Sequence, residues 1–230
     1  MGGSDNDAPT NSALLASACS DIRSHADGQS GTGRIVIDFA PVGGQSEAAA
    51  GACISSFEDP KSLFITTTLS CASSSDFSAE NLLSRVMKSK RKLGRIDLLN
   101  VHLESDTLDA FRACRVLETF KQMQKSRLVL FFGISVSDER TLETACITSL
   151  VKDFDALLLP RNLFLSRPDL ITGLQQDGML VVVHSPVSSL KGNATPHQSI
   201  AGLMFHGADV VLTGSRHHVA ENAAAAAIHK

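Results

Sequence analysis

Seven short apolar runs, each followed by a stretch of helical length, set the strongest limit on what this chain can become. The runs cover residues 34–38, 63–68, 96–101, 127–132, 154–159, 179–183 and 209–212. They are rich in Val, Ile, Leu and Phe, and such short continuous runs predict parallel strands covered on both faces. Apolar residues at helical spacing fill the intervals over 46–55, 78–90, 108–124, 137–150, 168–176 and 198–205, and recur at 12–25 and 219–229. Ser78 is placed to cap one of these helices, and Asp177-Gly178 to end another. Regular alternation of strand and helix predicts a parallel sheet with helices outside it.

A helix followed by seven strand–helix units predicts an α/β fold of the TIM type, a (β/α)8 barrel of parallel strands. It is incomplete at its N-terminus, where the first strand is missing. A doubly wound open sheet is the alternative. No G-x-G-x-x-G follows the first strand, and Val42-Gly43-Gly44 is too short to serve as one. Residues 1–11, small and polar, read as a disordered tail, and residues 12–230 as a single domain.

Composition narrows the partners. A net charge of −3 leaves no electrostatic footprint for nucleic acid or an anionic membrane. The basic run Lys88 to Lys92 reads as a solvated helix end that complements the helix dipole. No apolar run is long enough to span a bilayer and no signal peptide is visible, which points to a cytoplasmic protein. The five cysteines show no C-x-x-C spacing, so reduced thiols are expected and a metal site is not. The chain has no tyrosine and no tryptophan.

In an α/β barrel the C-terminal strand ends carry the chemistry, so residues there are the candidates. Asp38 ends the first run, His102 follows the third, and His184 ends the sixth. An imidazole titrates near neutrality and can act as acid or base, or simply hydrogen-bond to its neighbours. Asp38 reads first as a carboxylate held by local backbone donors that keeps the strand end in shape, and otherwise as a working one. Arg161 and Glu104 lie at or just past strand ends, where they suit a charged substrate or one another. Cys71 reads as structural.

Several of these strand ends resemble one family. Ile37-Asp38-Phe39-Ala40-Pro41-Val42-Gly43-Gly44 resembles the I-D-T-A-x-x-Y-G of the aldo-keto reductases, and Phe64 to Leu69 resembles their I-T-T-K-L. Arg95 to His102 resembles Y-I-D-L-Y-x-x-H, Phe132 to Ser135 resembles I-G-V-S-N, and His184 to Val187 resembles Y-S-P-L. Gly214-Ser215-Arg216 with Glu221-Asn222 resembles the family's last phosphate- and adenine-binding segment. The resemblance implies a (β/α)8 barrel and NADPH-dependent carbonyl reduction by a tyrosine, lysine, aspartate and histidine. Carried over, the aspartate is Asp38 and the histidine is His102, while Gly43 stands for the tyrosine and Thr68 for the lysine. Losing a general acid removes a factor of roughly 10²–10⁴. At the nicotinamide end the resemblance retains Ser135 and Ser185. It places Val136 for an asparagine, Leu158 for a glutamine and His184 for the stacking aromatic. At the adenosine end it implies cofactor contacts from Gly214, Ser215, Arg216, Glu221 and Asn222, so NADP is the one cofactor indicated.

Three functions compete. The first is a non-redox acid/base enzyme (a cyclase, isomerase or lyase) using His102 and His184 on a small molecule. The second is an atypical NADPH-dependent oxidoreductase with His102 as proton donor. The third is a non-catalytic subunit whose open barrel edges a protein partner covers.

Overall fold

The computed structural model describes residues 35–39, 45–57, 59, 63–186 and 195–213, and the fold is stated for these. Seven strands form one parallel sheet in sequential order: β1 (Ile35–Phe39), β2 (Leu63–Ser70), β3 (Leu98–Leu103), β4 (Phe131–Val136), β5 (Ala156–Pro160), β6 (Leu180–His184) and β7 (Val210–Val211). A doubly wound sheet would reverse its strand order midway, so that alternative is excluded. Val36 of β1 and Val210 of β7 line the same cavity, which requires the sheet to curl around it. The result is a curled part-barrel matching the expected (β/α)8 architecture. Among the described residues β1 and β7 do not pair with each other.

Alternate strand residues face opposite ways, and the two faces differ. The outer face (Ile65, Leu99, Val101, Ile134, Leu157, Val181 and their like) joins the large apolar core beneath the helices. These are α1 (Gln45–Ser55), α2 (Ala79–Leu93), α3 (Leu108–Ala113), α4 (Val116–Lys125), α5 (Glu139–Ile147), α6 (Arg161–Ser166), α7 (Pro168–Gln176) and α8 (Pro196–Phe205). Phe120 of α4 stacks on Phe132 of β4 with ring centroids 4.4 Å apart. The inner face is apolar at the strand beginnings, where Val36, Phe64, Leu98, Leu158 and Val182 surround a cavity of about 260 Å³. It becomes polar toward the strand ends.

A repeated aspartate fixes the start of the strands. Asp97, Asp155 and Asp209 each precede a strand and accept a backbone N–H from the neighbouring strand: Ile65 at 2.8 Å, Phe132 at 2.9 Å and Val181 at 2.8 Å. Each also donates its own N–H back to the same residue's carbonyl. This reciprocal clamp sets the register of β3 on β2, of β5 on β4 and of β7 on β6.

Several boundaries differ from expectation. The helix over 108–124 is broken in two at Arg115, whose φ of 52° lies in the left-handed region. The strand read at 127–132 is β4 at 131–136. Arg127, with φ of 56°, turns the chain, and Lys90 donates to the carbonyls of Arg127 and Leu128. The third strand runs from 98 to 103, so His102 lies inside it and not beyond it. Helix α6 had no separate signal. The basic end of α2 is not simply solvated, because Lys92 pairs with the buried Glu47 at 3.3 Å while Lys90 ties down the turn. The expected helices at 12–25 and 219–229, and the tail at 1–11, lie outside the described residues. No described helix is long and apolar enough to cross a membrane.

Candidate functional site

The polar inner face is built by strand register. His102 of β3 is level with Ser135 of β4, and the ring Nδ1 lies 3.2 Å from the buried serine hydroxyl. The other ring nitrogen, Nε2, faces the exposed Glu104 carboxylate at 3.6 Å. Nδ1 is thus held by a hydroxyl, while Nε2, beyond hydrogen-bond distance of the exposed carboxylate, remains open to a substrate. This is how a ring is held for directed proton transfer.

His184 ends β6, paired in register with Pro160 of β5. Its Nδ1 lies 3.1 Å from the Ser185 hydroxyl. Ser185 has a φ of 54°, a left-handed conformation that a serine adopts at a cost and that turns the chain sharply after the histidine. Burial pushes the His184 pKa below its ordinary value, and the nearby His102 pushes it further the same way. The two imidazoles thus sense one another across the barrel mouth, with His184 favoured as the neutral base.

Asp38 lies on the inner face of β1, level with Thr66 of β2. Burial raises its pKa to about 6, only partly opposed by hydrogen bonding from the Thr66 hydroxyl. Its Oδ1 is buried with no hydrogen-bond partner among the described residues. Thr66 in turn accepts a 2.7 Å hydrogen bond from the amide of Asn100, a residue with no exposed surface. Asn100, Thr66 and Asp38 form a polar string across three adjacent strands inside the barrel.

This string was not anticipated. Its signal is a lone asparagine inside an otherwise apolar strand, since a buried amide must find a partner. Gly133 completes it from β4, because a Cβ there would lie 2.0 Å from Asn100 Oδ1. Gly133→Ala is expected to displace the Asn100 amide, break its bond to Thr66 and cost about 2 kcal/mol. Urea unfolding read against the parent protein checks this.

The remaining candidates are placed as follows. Thr68, half-buried on β2, is level with Asn100 and supplies a hydroxyl where the resemblance would place a lysine. Leu158 is buried on the inner face of β5. Cys71 is buried beside Arg85, whose guanidinium contacts the sulfur at 3.6 Å, and burial is the main cause of a raised thiol pKa. Arg161 begins α6 directly after Pro160 and forms no ion pair with Glu104. Gly43, Gly214, Ser215, Arg216, Glu221 and Asn222 lie outside the described residues. Among the described residues no cluster of side chains suits a metal ion.

Leu158, where the resemblance places a glutamine, is buried and apolar, and the Ser135 hydroxyl contacts His102.

Comparison with known proteins gives the fold a lineage. The sequence model of the Aldo/keto reductase family matches residues 30–200. No curated protein sequence matches the chain. Among solved structures, the aldo-keto reductase from Klebsiella pneumoniae in complex with NADPH is similar with a TM-score of 0.71 and 17% identity, over 94% of this chain and 81% of that one. A protein from Pseudomonas aeruginosa with a provisional aldo-keto reductase assignment has a TM-score of 0.75 and 20% identity, over 100% of this chain and 85% of the other. An aldo/keto reductase from Brucella melitensis has a TM-score of 0.64 and 18% identity, covering 92% and 80%. At such identities the likeness is one of fold.

Proposed function

The chain belongs to the aldo/keto reductase family, and from that premise we propose that it uses the family's barrel for proton transfer at a carbonyl compound without hydride transfer. The observation that carries this reading is His184, whose pKa burial and the nearby His102 lower, together with His102, whose Nδ1 is held by Ser135. The absence of any tyrosine in the chain supports it from the other side, since the family's proton donor has no substitute of its kind.

In this reading His184, neutral at pH 7, takes a proton from the carbon next to the carbonyl. His102 hydrogen-bonds the oxygen on which charge develops, in the manner of an oxyanion donor. Returning the proton to a different atom gives isomerisation, and loss of a leaving group gives elimination. Both belong to the isomerase, lyase or cyclase class. Asp38, raised to about 6, is a second group able to hold a proton near neutrality.

The test is hydrogen–deuterium exchange at the α-carbon of pyruvate, acetone and propanal in D2O, followed by proton NMR without nucleotide. Exchange of at least one above the buffer rate is expected, unchanged by added NADPH. Absence of exchange in all three would sink the reading, as would NADPH-dependent reduction of a carbonyl. That second outcome would favour an atypical NADPH-dependent oxidoreductase with His102 as donor. The specific support for that alternative is the cofactor bound in the Klebsiella pneumoniae structure. NADP contacts would then come from Ser135 and Ser185 and from the segment Gly214 to Asn222, where Arg216 suits a phosphate.

A further inference from the structure

Among the described residues, four arginines have visible side-chain partners. Arg95 pairs with Asp97, Arg115 with Glu118, and Arg167 with Glu139 and Glu143. Arg85 donates to the Ser70 carbonyl and the Cys71 sulfur. Arg161 is different. It is half-buried, its Nε is fully buried, and that N–H has no acceptor among the described residues. A buried donor left unpaired is costly unless an acceptor arrives.

Among the described residues no carboxylate forms an ion pair with Arg161, and those near it are engaged elsewhere or lie on the inner face of β1, as Asp38 does. On the strand before it, β4 leads into Asp138 and Glu139. Asp138 caps α5 through the Thr141 amide and hydroxyl, and Glu139 is taken by Arg167. Glu104 at the end of β3 faces His102. The segment after β6, residues 187–194, contains neither aspartate nor glutamate, and nor does the segment after β1, residues 40–44. Arg161 also sits at the chemical end of the sheet, one residue beyond Pro160, which is level with His184.

We propose that Arg161 is an anion-binding residue, and that the small molecule handled at this end of the barrel carries an oxyanion, carboxylate or phosphate, that pairs with its guanidinium. A guanidinium presents parallel N–H groups that match two oxygens of such an ion, which a lysine cannot do. That this anion belongs to the substrate rests on the proton-transfer reading. The anion site itself does not.

The experiment is an NMR titration of the full chain with sodium malonate in one arm and inorganic phosphate in the other, at constant ionic strength, following the Arg161 Nε–H resonance in the parent and the backbone amides of Arg161–Ser166 in parent and variants alike. A saturable shift is expected with at least one anion, and the arm that saturates identifies the group. Arg161→Lys should weaken binding at least tenfold, and Arg161→Met should abolish it, with circular dichroism confirming the fold. No saturable shift in either arm would overturn the proposal, as would unchanged affinity in Arg161→Lys. Should Arg161→Met fail to fold, the wild-type titration and the lysine variant still decide. Anion binding without α-proton exchange would refute the catalytic reading alone and leave this site standing.

Discussion

His102→Ala is expected to slow α-proton exchange by two to four orders of magnitude while leaving the fold intact. The size follows from what the ring does in the proposed reaction. It stabilises the charge that develops on the carbonyl oxygen, and removing one such donor or acid typically costs a factor of 10²–10⁴, about 3–5 kcal/mol of barrier. Stability should change little, because the ring is half-buried and its two contacts, Ser135 and Glu104, can both be met by water once it is gone. Ser135→Ala provides the graded control. It removes only the hydroxyl that orients Nδ1, so its loss should be smaller and should appear in the rate more than in binding. The pH profile adds an independent reading. A His184 pKa held down by burial and by His102 means exchange should persist below the ordinary histidine range before falling on the acid side. Exchange that survives both His102→Ala and His184→Ala would end the proposal.

The second large effect concerns stability. Asp38→Asn is expected to stabilise the protein by up to about 2–3 kcal/mol at pH 8 and to do nothing at pH 3.5. In the folded chain this carboxyl titrates at about 6, against 3.8 for an unburied aspartate. Below 3.8 both folded and unfolded chains hold the proton, and the group is neutral in each. As pH rises toward 6 the unfolded chain ionises freely while the folded chain must keep the proton or charge a buried group, so stability is lost across that window. Asparagine removes the charge and with it the loss. Urea unfolding of both proteins at pH 3.5 and pH 8 measures the effect. A variant less stable than its parent at pH 8 would mean that the ionised carboxylate is held by donors after all.

Part of this protein could be read directly from its residues. Seven apolar runs spaced by helical stretches fixed the number and direction of the strands, because buried parallel strands need uninterrupted Val, Ile, Leu and Phe. The family motifs, matched one strand end at a time, placed Asp38, His102 and His184 at one end of one sheet. Boundaries were less legible. Arg115 and Arg127 break or shift elements through left-handed backbone that no composition announces, and α6 hides behind Pro160.

The sequence by itself determined which residue types were present and absent, and therefore that a tyrosine acid and a lysine at position 68 could not be part of the site. It could not say which polar groups would meet. That His102 faces Ser135, that Asn100 reaches Thr66 across a strand, and that Asp38 Oδ1 and Arg161 Nε end buried without partners are decided by inter-strand register and by the curl of the sheet. Those contacts join residues some thirty positions apart, and a slip of one residue would turn every one of them to the opposite face. Only the folded sheet, clamped at its base by Asp97, Asp155 and Asp209, holds that register.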